Sequence, residues 1–128
     1  MSADPIARWH HAVDNRLANL EDLLAADVVF HSPAVHTSQA GRSITAKYLR
    51  AAMAVLNKTG DFRYTGEWRA ERSAVLEFET RRGEMHVNGV DIIHWNAEGQ
   101  IVLFKVMVRP LKALTALVAV MSEQLKAG

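Results

Sequence analysis

Apolar residues recur at every third or fourth position in three stretches of the chain, and this spacing predicts three helical segments. The first covers 4–24 and is expected to break near Asn15 and Asn19. The second covers 43–56, and the third covers about 110–124, where it begins at a proline that suits the first turn of a helix. The predicted apolar stripe of the third helix comprises Leu111, Leu114, Leu117, Val118, Met121 and Leu125.

Stretches rich in β-branched and aromatic residues predict five strands. The first lies around 28–30 and ends before Pro33, because proline does not donate to a sheet. The segment 32–42 has no periodicity and predicts a loop. Short connections that contain Gly83 and Gly99 indicate hairpins, so the later strands form an antiparallel meander. These later strands are 62–69, 74–80, 85–96 and 100–108.

The order of these elements is typical of an α+β fold, since helices and strands are grouped and do not alternate as in a parallel α/β fold. We expect a curved antiparallel sheet wrapped around the N-terminal helices, with a C-terminal helix that closes the structure. Chains of this length usually form a single core. The whole chain, 1–128, is therefore predicted to be one domain.

Apolar residues occupy both alternating sets of positions in the last strands, so both faces of the sheet need to be covered. The helices cover one face, and a chain of this length has no further helices for the other. A second subunit packed sheet to sheet is the simplest cover. The sequence therefore predicts a homodimer through the outer sheet face.

Composition narrows the range of partners. Fifteen Lys and Arg against fourteen Asp and Glu leave a net charge of +1, without the basic excess of a nucleic-acid binder. The absence of cysteine excludes disulfides and thiolate chemistry. The longest apolar stretch, 111–121, is shorter than the roughly 20 residues that span a membrane, and no signal segment is recognisable. We expect a cytoplasmic protein without nucleic-acid or membrane partners.

Neither a metal nor a cofactor is predicted. The six histidines lack the His-x-x-x-His spacing of a helical ligand pair, and no glycine-rich loop suits a phosphate. One of these histidines, His36, lies in the loop after the first strand. It is a candidate general acid or base at the mouth of a pocket, and the alternative is a solvated loop residue.

Three segments, 26–33, 41–42 and 90–101, resemble the nuclear transport factor 2-like (NTF2-like) superfamily. The last of them has a strand, an acidic turn with glycine and a returning strand near the C-terminus, which is a hallmark of that group. The superfamily includes ketosteroid isomerase and the SnoaL-like polyketide cyclases. The resemblance implies a cone-shaped α+β barrel with an internal apolar pocket, usually as a homodimer.

Comparison with ketosteroid isomerase places Asp91 on that family's oxyanion-hole aspartate, a carboxylic acid kept neutral to donate a hydrogen bond. Ser32, before Pro33, stands where the family has its general-base aspartate. Trp9 stands near the family's first-helix tyrosine. The resemblance therefore implies a catalytic role for Asp91. At the other two positions, the sequence departs from the family.

Asp91 lies in an apolar strand, where burial disfavours a charged carboxyl and raises its pKa. Strand alternation places it on one face with Ile93, while His86 and His94 point to the opposite face. The resemblance implies that the face with Asp91 is the pocket face. A neutral Asp91 would donate a hydrogen bond to a ligand carbonyl. The alternative is a structural carboxyl satisfied by a helix-end N–H or a tryptophan N–H.

The pocket lining is predicted from apolar and aromatic residues that fall on inward positions. Ser32 is interpreted either as a polar contact in that pocket or as a residue that shapes the turn. The alternative for each apolar residue is that it simply fills the core. The predicted lining residues besides Ser32 are Trp9, Phe30, Tyr48, Phe62, Tyr64, Phe78, Ile93, Phe104, Val106 and Val108.

Two functions remain open at this point. The first is the binding of a small apolar ligand, carbonyl-bearing or cyclic, with or without catalysis by Asp91; an isomerisation, cyclisation, dehydration or hydrolysis would each suit such a site. The second is a non-catalytic module for dimerisation or protein interaction. A cavity of several hundred cubic ångströms favours the first, because ligand sites typically have about that volume.

Overall fold

A computed structural model describes residues 4–127 of the chain. The predicted domain 1–128 includes 1–3 and 128, which lie outside the described residues. The described elements, in chain order, are α1 Pro5–Asp14, a 3₁₀ helix Leu20–Leu23, β1 Leu24–His31, β2 Gln39–Ala40, α2 Arg42–Leu56, β3 Arg63–Arg69, β4 Ser73–Arg82, β5 Met85–Trp95, β6 Ile101–Arg109 and α3 Leu111–Ala127.

The six strands form one sheet in the order β2-β1-β6-β5-β4-β3. The predicted α+β cone is confirmed, with a curved sheet, N-terminal helices and a closing C-terminal helix. The meander of β3 to β6 is antiparallel, as predicted. The sheet is not antiparallel throughout, however, because β1 pairs with β6 in parallel. The loop predicted at 32–42 also contains β2, which pairs with β1.

The chain after α1 turns through left-handed backbone, which explains the break in the first predicted helix. Arg16, Leu17 and Asn19 have φ values of 57°, 60° and 61°. This turn directs Leu17 into the core, where it is 1% exposed. Arg50 of α2 holds the turn, since its guanidinium donates to the Leu17 carbonyl oxygen over 3.0 Å.

Two residues of the stripe predicted for α3, Leu111 and Val118, are exposed, and Leu111 departs furthest from the prediction. Leu111 is 77% exposed, whereas Ala113 and Leu117 are buried. At 3.6 residues per turn, Leu111 lies about 200° around the helix from Ala113. The first leucine of the helix therefore points to solvent, and the prediction that it belongs to the buried stripe is wrong.

Large aromatic side chains fill the core between α1 and the sheet. Trp9, Phe78 and Phe104 are each almost completely buried. Phe78 lies across Gly89 of the neighbouring strand, where an added Cβ atom would be 2.5 Å from the Phe78 ring. Gly89 therefore provides the space that the ring of Phe78 needs at the centre of the sheet.

Two buried threonines provide a matched test of core hydrogen bonding. The Thr45 hydroxyl has no hydrogen-bond partner within residues 4–127, whereas the Thr80 hydroxyl donates to the Leu56 carbonyl oxygen over 2.7 Å. Because a buried unpaired hydroxyl is costly, Thr45→Val is expected to raise the free energy of unfolding by about 1 kcal/mol. Thr80→Val is expected to lower it by about 1–3 kcal/mol, because it leaves that carbonyl unpaired. Urea denaturation measures both changes, and a Thr45→Val variant less stable than the parent would contradict the expectation.

Candidate functional site

Asp91 lies in the middle of β5, on the face of the sheet that points into the core, and is 5% exposed. The alternation predicted for this strand is confirmed. Val87 and Ile93 are fully buried, while His86 and His94 are exposed. The carboxyl group of Asp91 is therefore held among apolar side chains.

A hydrogen-bonded series connects Asp91 to α1 through Tyr64. The Tyr64 hydroxyl donates to Asp91 Oδ2 over 2.6 Å, and Trp9 Nε1 donates to the Tyr64 oxygen over 2.9 Å. A tryptophan N–H was one partner in the structural alternative for Asp91. In the structure, Trp9 is connected to Asp91 through Tyr64. Tyr64 is the one hydrogen-bond partner of Asp91 within the described residues, so Oδ1 of the carboxyl is free to bond another group.

The environment of this pair shifts both acidities. Burial raises the pKa of Asp91 to about 7, while the hydrogen bond from Tyr64 acts in the opposite direction. Burial raises the pKa of Tyr64 well above its usual value, and the neighbouring Asp91 charge adds to this effect. At neutral pH, a substantial part of the protein therefore carries Asp91 as a protonated acid that can donate a hydrogen bond.

A cavity of about 300 Å³ lies between α2, α3, β6 and the end of β1. Seventeen residues line it, and none of them carries a charge. Of the predicted lining, the structure brings five residues to this cavity. They are Phe30, Ser32, Tyr48, Val106 and Val108.

Six other residues of the predicted lining lie outside the cavity wall. Trp9 packs edge-on against Phe104, with ring centroids 4.8 Å apart, and Phe62 packs against Phe78 at 5.2 Å. These rings fill space that the sequence interpretation left open for a ligand. The six are Trp9, Phe62, Tyr64, Phe78, Ile93 and Phe104.

One wall of the cavity comes from α3, which the sequence interpretation treated only as a core helix. Leu114, Leu117, Met121 and Leu125 face the cavity from this helix. Their apolar spacing is the signal that could have found them. That spacing is the same for a helix against a filled core and for a helix over a cavity, so sequence alone does not separate the two.

The two polar candidates of the loop after β1 have different positions. Ser32 lines the cavity, and its hydroxyl also accepts a hydrogen bond from the Ala34 N–H over 3.1 Å, so it both contacts the cavity and shapes the turn. His36 is exposed and does not line the cavity. His36 follows Val35, which lines the cavity.

Asp91 lies behind the wall of the cavity and does not form part of it. Val106, which lines the cavity, is directly opposite Asp91 in the pairing of β5 with β6. Phe104, two residues along β6, packs against Phe30 with ring centroids 6.3 Å apart, and Phe30 packs against Tyr48. The acid is therefore next to a residue of the lining without lining the cavity itself.

The side chains and helices of residues 4–127 also bear on metal binding and on membrane insertion. No group of three or more His, Asp or Glu residues is placed there to hold a metal ion. No helix in the same range has both the length and the hydropathy of a membrane span.

The chain is similar to several proteins of known structure. No family model and no curated protein matches it. It is similar to a steroid delta-isomerase from Pseudomonas aeruginosa, with 37% identity and a TM-score of 0.90 over 96% of this chain and 90% of the other. A bacterial protein with a cystatin-like fold from Silicibacter pomeroyi has 33% identity and a TM-score of 0.85, over 94% and 84% of the two chains. An NTF2-like protein from Mesorhizobium loti, with 19% identity and a TM-score of 0.69 over 83% and 88%, shares the fold.

The raised pKa of Asp91 predicts a specific dependence of stability on pH. Between about pH 4 and pH 7 the folded protein keeps a proton on Asp91 that the unfolded chain releases, so the free energy of unfolding falls as pH rises. The fall is about 1.4 kcal/mol per pH unit and ends above the folded pKa. Asp91→Asn removes this titration and still accepts the hydrogen bond from Tyr64.

Urea denaturation of the parent and Asp91→Asn at several pH values checks this prediction. The variant is expected to gain stability relative to the parent from pH 4 to pH 7, by about 3–4 kcal/mol over the window. Every other titrating group is common to both proteins and cancels in the difference. A difference that stays constant across the window would show that Asp91 is charged in the folded protein.

Proposed function

Because this chain belongs to the nuclear transport factor 2-like superfamily, we propose that it binds a small apolar molecule, carbonyl-bearing or cyclic, in the cavity between α2, α3 and the sheet. The observation that carries the proposal is the cavity itself, with its volume of about 300 Å³ and its uncharged lining. Ligand sites begin at about this volume and are mostly apolar with a few polar groups.

A catalytic role for Asp91, as an acid or a hydrogen-bond donor, forms the second part of the proposal. The Asp91 carboxyl and the Trp9 indole N–H are both directed at one oxygen position, which the Tyr64 hydroxyl holds. With Asp91 protonated and the Tyr64 side chain displaced, a ligand carbonyl at that position would accept one hydrogen bond from each group as negative charge develops on its oxygen. An isomerisation, cyclisation, dehydration or hydrolysis would each use such polarisation. His36, beside the cavity residue Val35, is the candidate for a second proton transfer.

Similarity to a steroid delta-isomerase supports a ligand of this chemical class, since that neighbour is 37% identical over nearly the whole chain. The alternative, a non-catalytic interaction module, has no need of an empty apolar space. A cavity costs packing energy that a purely structural core would recover. The cavity therefore favours ligand binding over a module without a ligand.

A second copy of the chain is the partner that we propose for the outer face of the sheet. This face carries exposed Trp68 and Met107, which are 59% and 50% exposed. Glu77 on β4 and Lys105 on β6 lie on this face, on either side of β5. A two-fold axis along β5 would place Glu77 of one copy opposite Lys105 of the other, with Ile92 near the axis.

Blocking the cavity tests ligand binding directly. Ala52 lines the cavity from α2, so Ala52→Phe is expected to fill it and to weaken the binding of the neutral fluorophore 1-aminoanthracene at least about ten-fold. Ala119→Phe, at an exposed position of α3 outside the lining, is the matched control and is expected to bind like the parent. Equal fluorescence titrations for both variants would exclude the cavity as the site.

The role of Asp91 is tested in the same series by turnover of a β,γ-unsaturated cyclic ketone, followed by the absorbance of the conjugated product. Asp91→Asn and Asp91→Ala are expected to lower turnover at least about 100-fold, because general acid catalysis contributes roughly that factor. Circular dichroism verifies that both variants fold. Turnover that is unchanged in both variants would exclude Asp91 from the chemistry, and a parent without turnover would leave a binding protein.

The proposed dimer is tested by placing a charge at the centre of the outer face. Ile92→Asp is expected to give a monomer, because an unpaired carboxylate would be buried at the contact. Thr115→Asp, at an exposed position of α3, is the control and is expected to leave the assembly unchanged. Light scattering after size-exclusion chromatography gives the mass of each, and an Ile92→Asp dimer would place the contact elsewhere.

A further inference from the structure

The polar atoms on the cavity wall are concentrated in three hydroxyl groups. Ser32, Tyr48 and Ser122 are the polar residues among the seventeen that line the cavity, and the other fourteen are apolar. A wall of this kind offers a ligand a large apolar surface and a small number of hydrogen-bond donors. The hydroxyls therefore decide which polar group a ligand can bring into the cavity.

Each of these hydroxyls has a proton available for a ligand. Tyr48 and Ser122 form no side-chain hydrogen bond within residues 4–127 of the structure, and Ser32 accepts one bond from the Ala34 N–H while its own proton stays free. A hydroxyl that loses water without gaining a partner is costly. A ligand oxygen that accepts from these groups is therefore favoured over a ligand without one.

Tyr48 is the best positioned of the three. It lies on α2, half-buried, and its ring packs against Phe30 with centroids 5.7 Å apart and planes inclined at 51°. Phe30 is itself 2% exposed, so the contact fixes the tyrosine ring against the core. A hydroxyl on a fixed ring has little rotational freedom to lose when it binds, which increases its value for recognition.

The wall also determines the charge of the ligand. No Lys, Arg or His lies among the seventeen lining residues. A carboxylate or sulfate in this cavity would lose its hydration without gaining a counter-charge, and burial of an unpaired ion is strongly unfavourable. An ionised fatty acid is therefore a poor occupant, whereas a ketone, an ether, an ester or an alcohol is suitable.

We propose that Tyr48 is the specificity-determining residue of the cavity: its hydroxyl, assisted by Ser32 and Ser122, donates to one uncharged oxygen of the ligand. This inference rests on the proposed function and adds the orientation and charge state of the ligand. Because Asp91 lies beside Val106 and outside the lining, a ligand that donates no proton but accepts from both Tyr48 and Asp91 carries two oxygen functions on one apolar body.

Three small molecules of the same shape test the proposal with the parent and Tyr48→Phe. They are 1-tetralone, the hydrocarbon tetralin and tetralin-1-carboxylate, and each competes with 1-aminoanthracene for the cavity. Tyr48→Phe keeps the ring and removes the hydroxyl. It is expected to weaken the binding of 1-tetralone about 5–10-fold, which corresponds to the loss of one hydrogen bond. The binding of tetralin is expected to be unchanged. The carboxylate is expected to displace the probe from neither protein at millimolar concentration.

The outcomes separate this inference from the proposed function. Equal effects of Tyr48→Phe on the ketone and the hydrocarbon, or displacement by the carboxylate, would overturn the role of Tyr48 while ligand binding in the cavity stands. A parent that binds neither the probe nor any of the three molecules would overturn both. Ser32→Ala and Ser122→Ala are expected to weaken the binding of 1-tetralone by smaller factors than Tyr48→Phe. A larger effect of either would show that this serine, and not Tyr48, is the specificity-determining residue.

Discussion

A carboxyl group inside an apolar sheet has to be neutral or paired. The hydrogen bonds by which Asp91 meets this requirement hold β5, β3 and α1 together. Its partner, Tyr64, comes from β3, and the donor to Tyr64, Trp9, comes from α1. Two hydrogen bonds thereby join three elements that are distant in sequence. Aromatic rings such as those of Trp9 and Phe104 fill the space beside this series, and the apolar cavity lies elsewhere, under α3.

Much of the architecture follows from local periodicity. The hairpins of β4 to β6 and the inward position of Asp91 depend on alternation and on glycine turns, both of which are visible in a short window of sequence. The parallel pairing of β1 with β6 and the left-handed turn at Leu17 depend on contacts between distant segments. No short window contains that information, so these features appear only in the structure.

The site was accessible to sequence reasoning only in part, for a similar reason. The raised pKa of Asp91 follows from a single acid in an apolar strand. Inward parity placed Phe104 and Val106 in one predicted lining, although Phe104 is packed in the core and Val106 faces the cavity. Parity states which face of a sheet a residue occupies. It does not state whether the space above that face is filled, because packing depends on the volumes of all the neighbouring side chains.

The edges of the sheet limit how copies of this chain can associate. One edge is β2, which has two residues, and the other is β3, which carries Arg63, Glu67 and Arg69 and contains a bulge after Tyr64. Short strands, charges and bulges all oppose the addition of a further strand. Fibrillar growth by edge pairing is therefore disfavoured at both ends of the sheet.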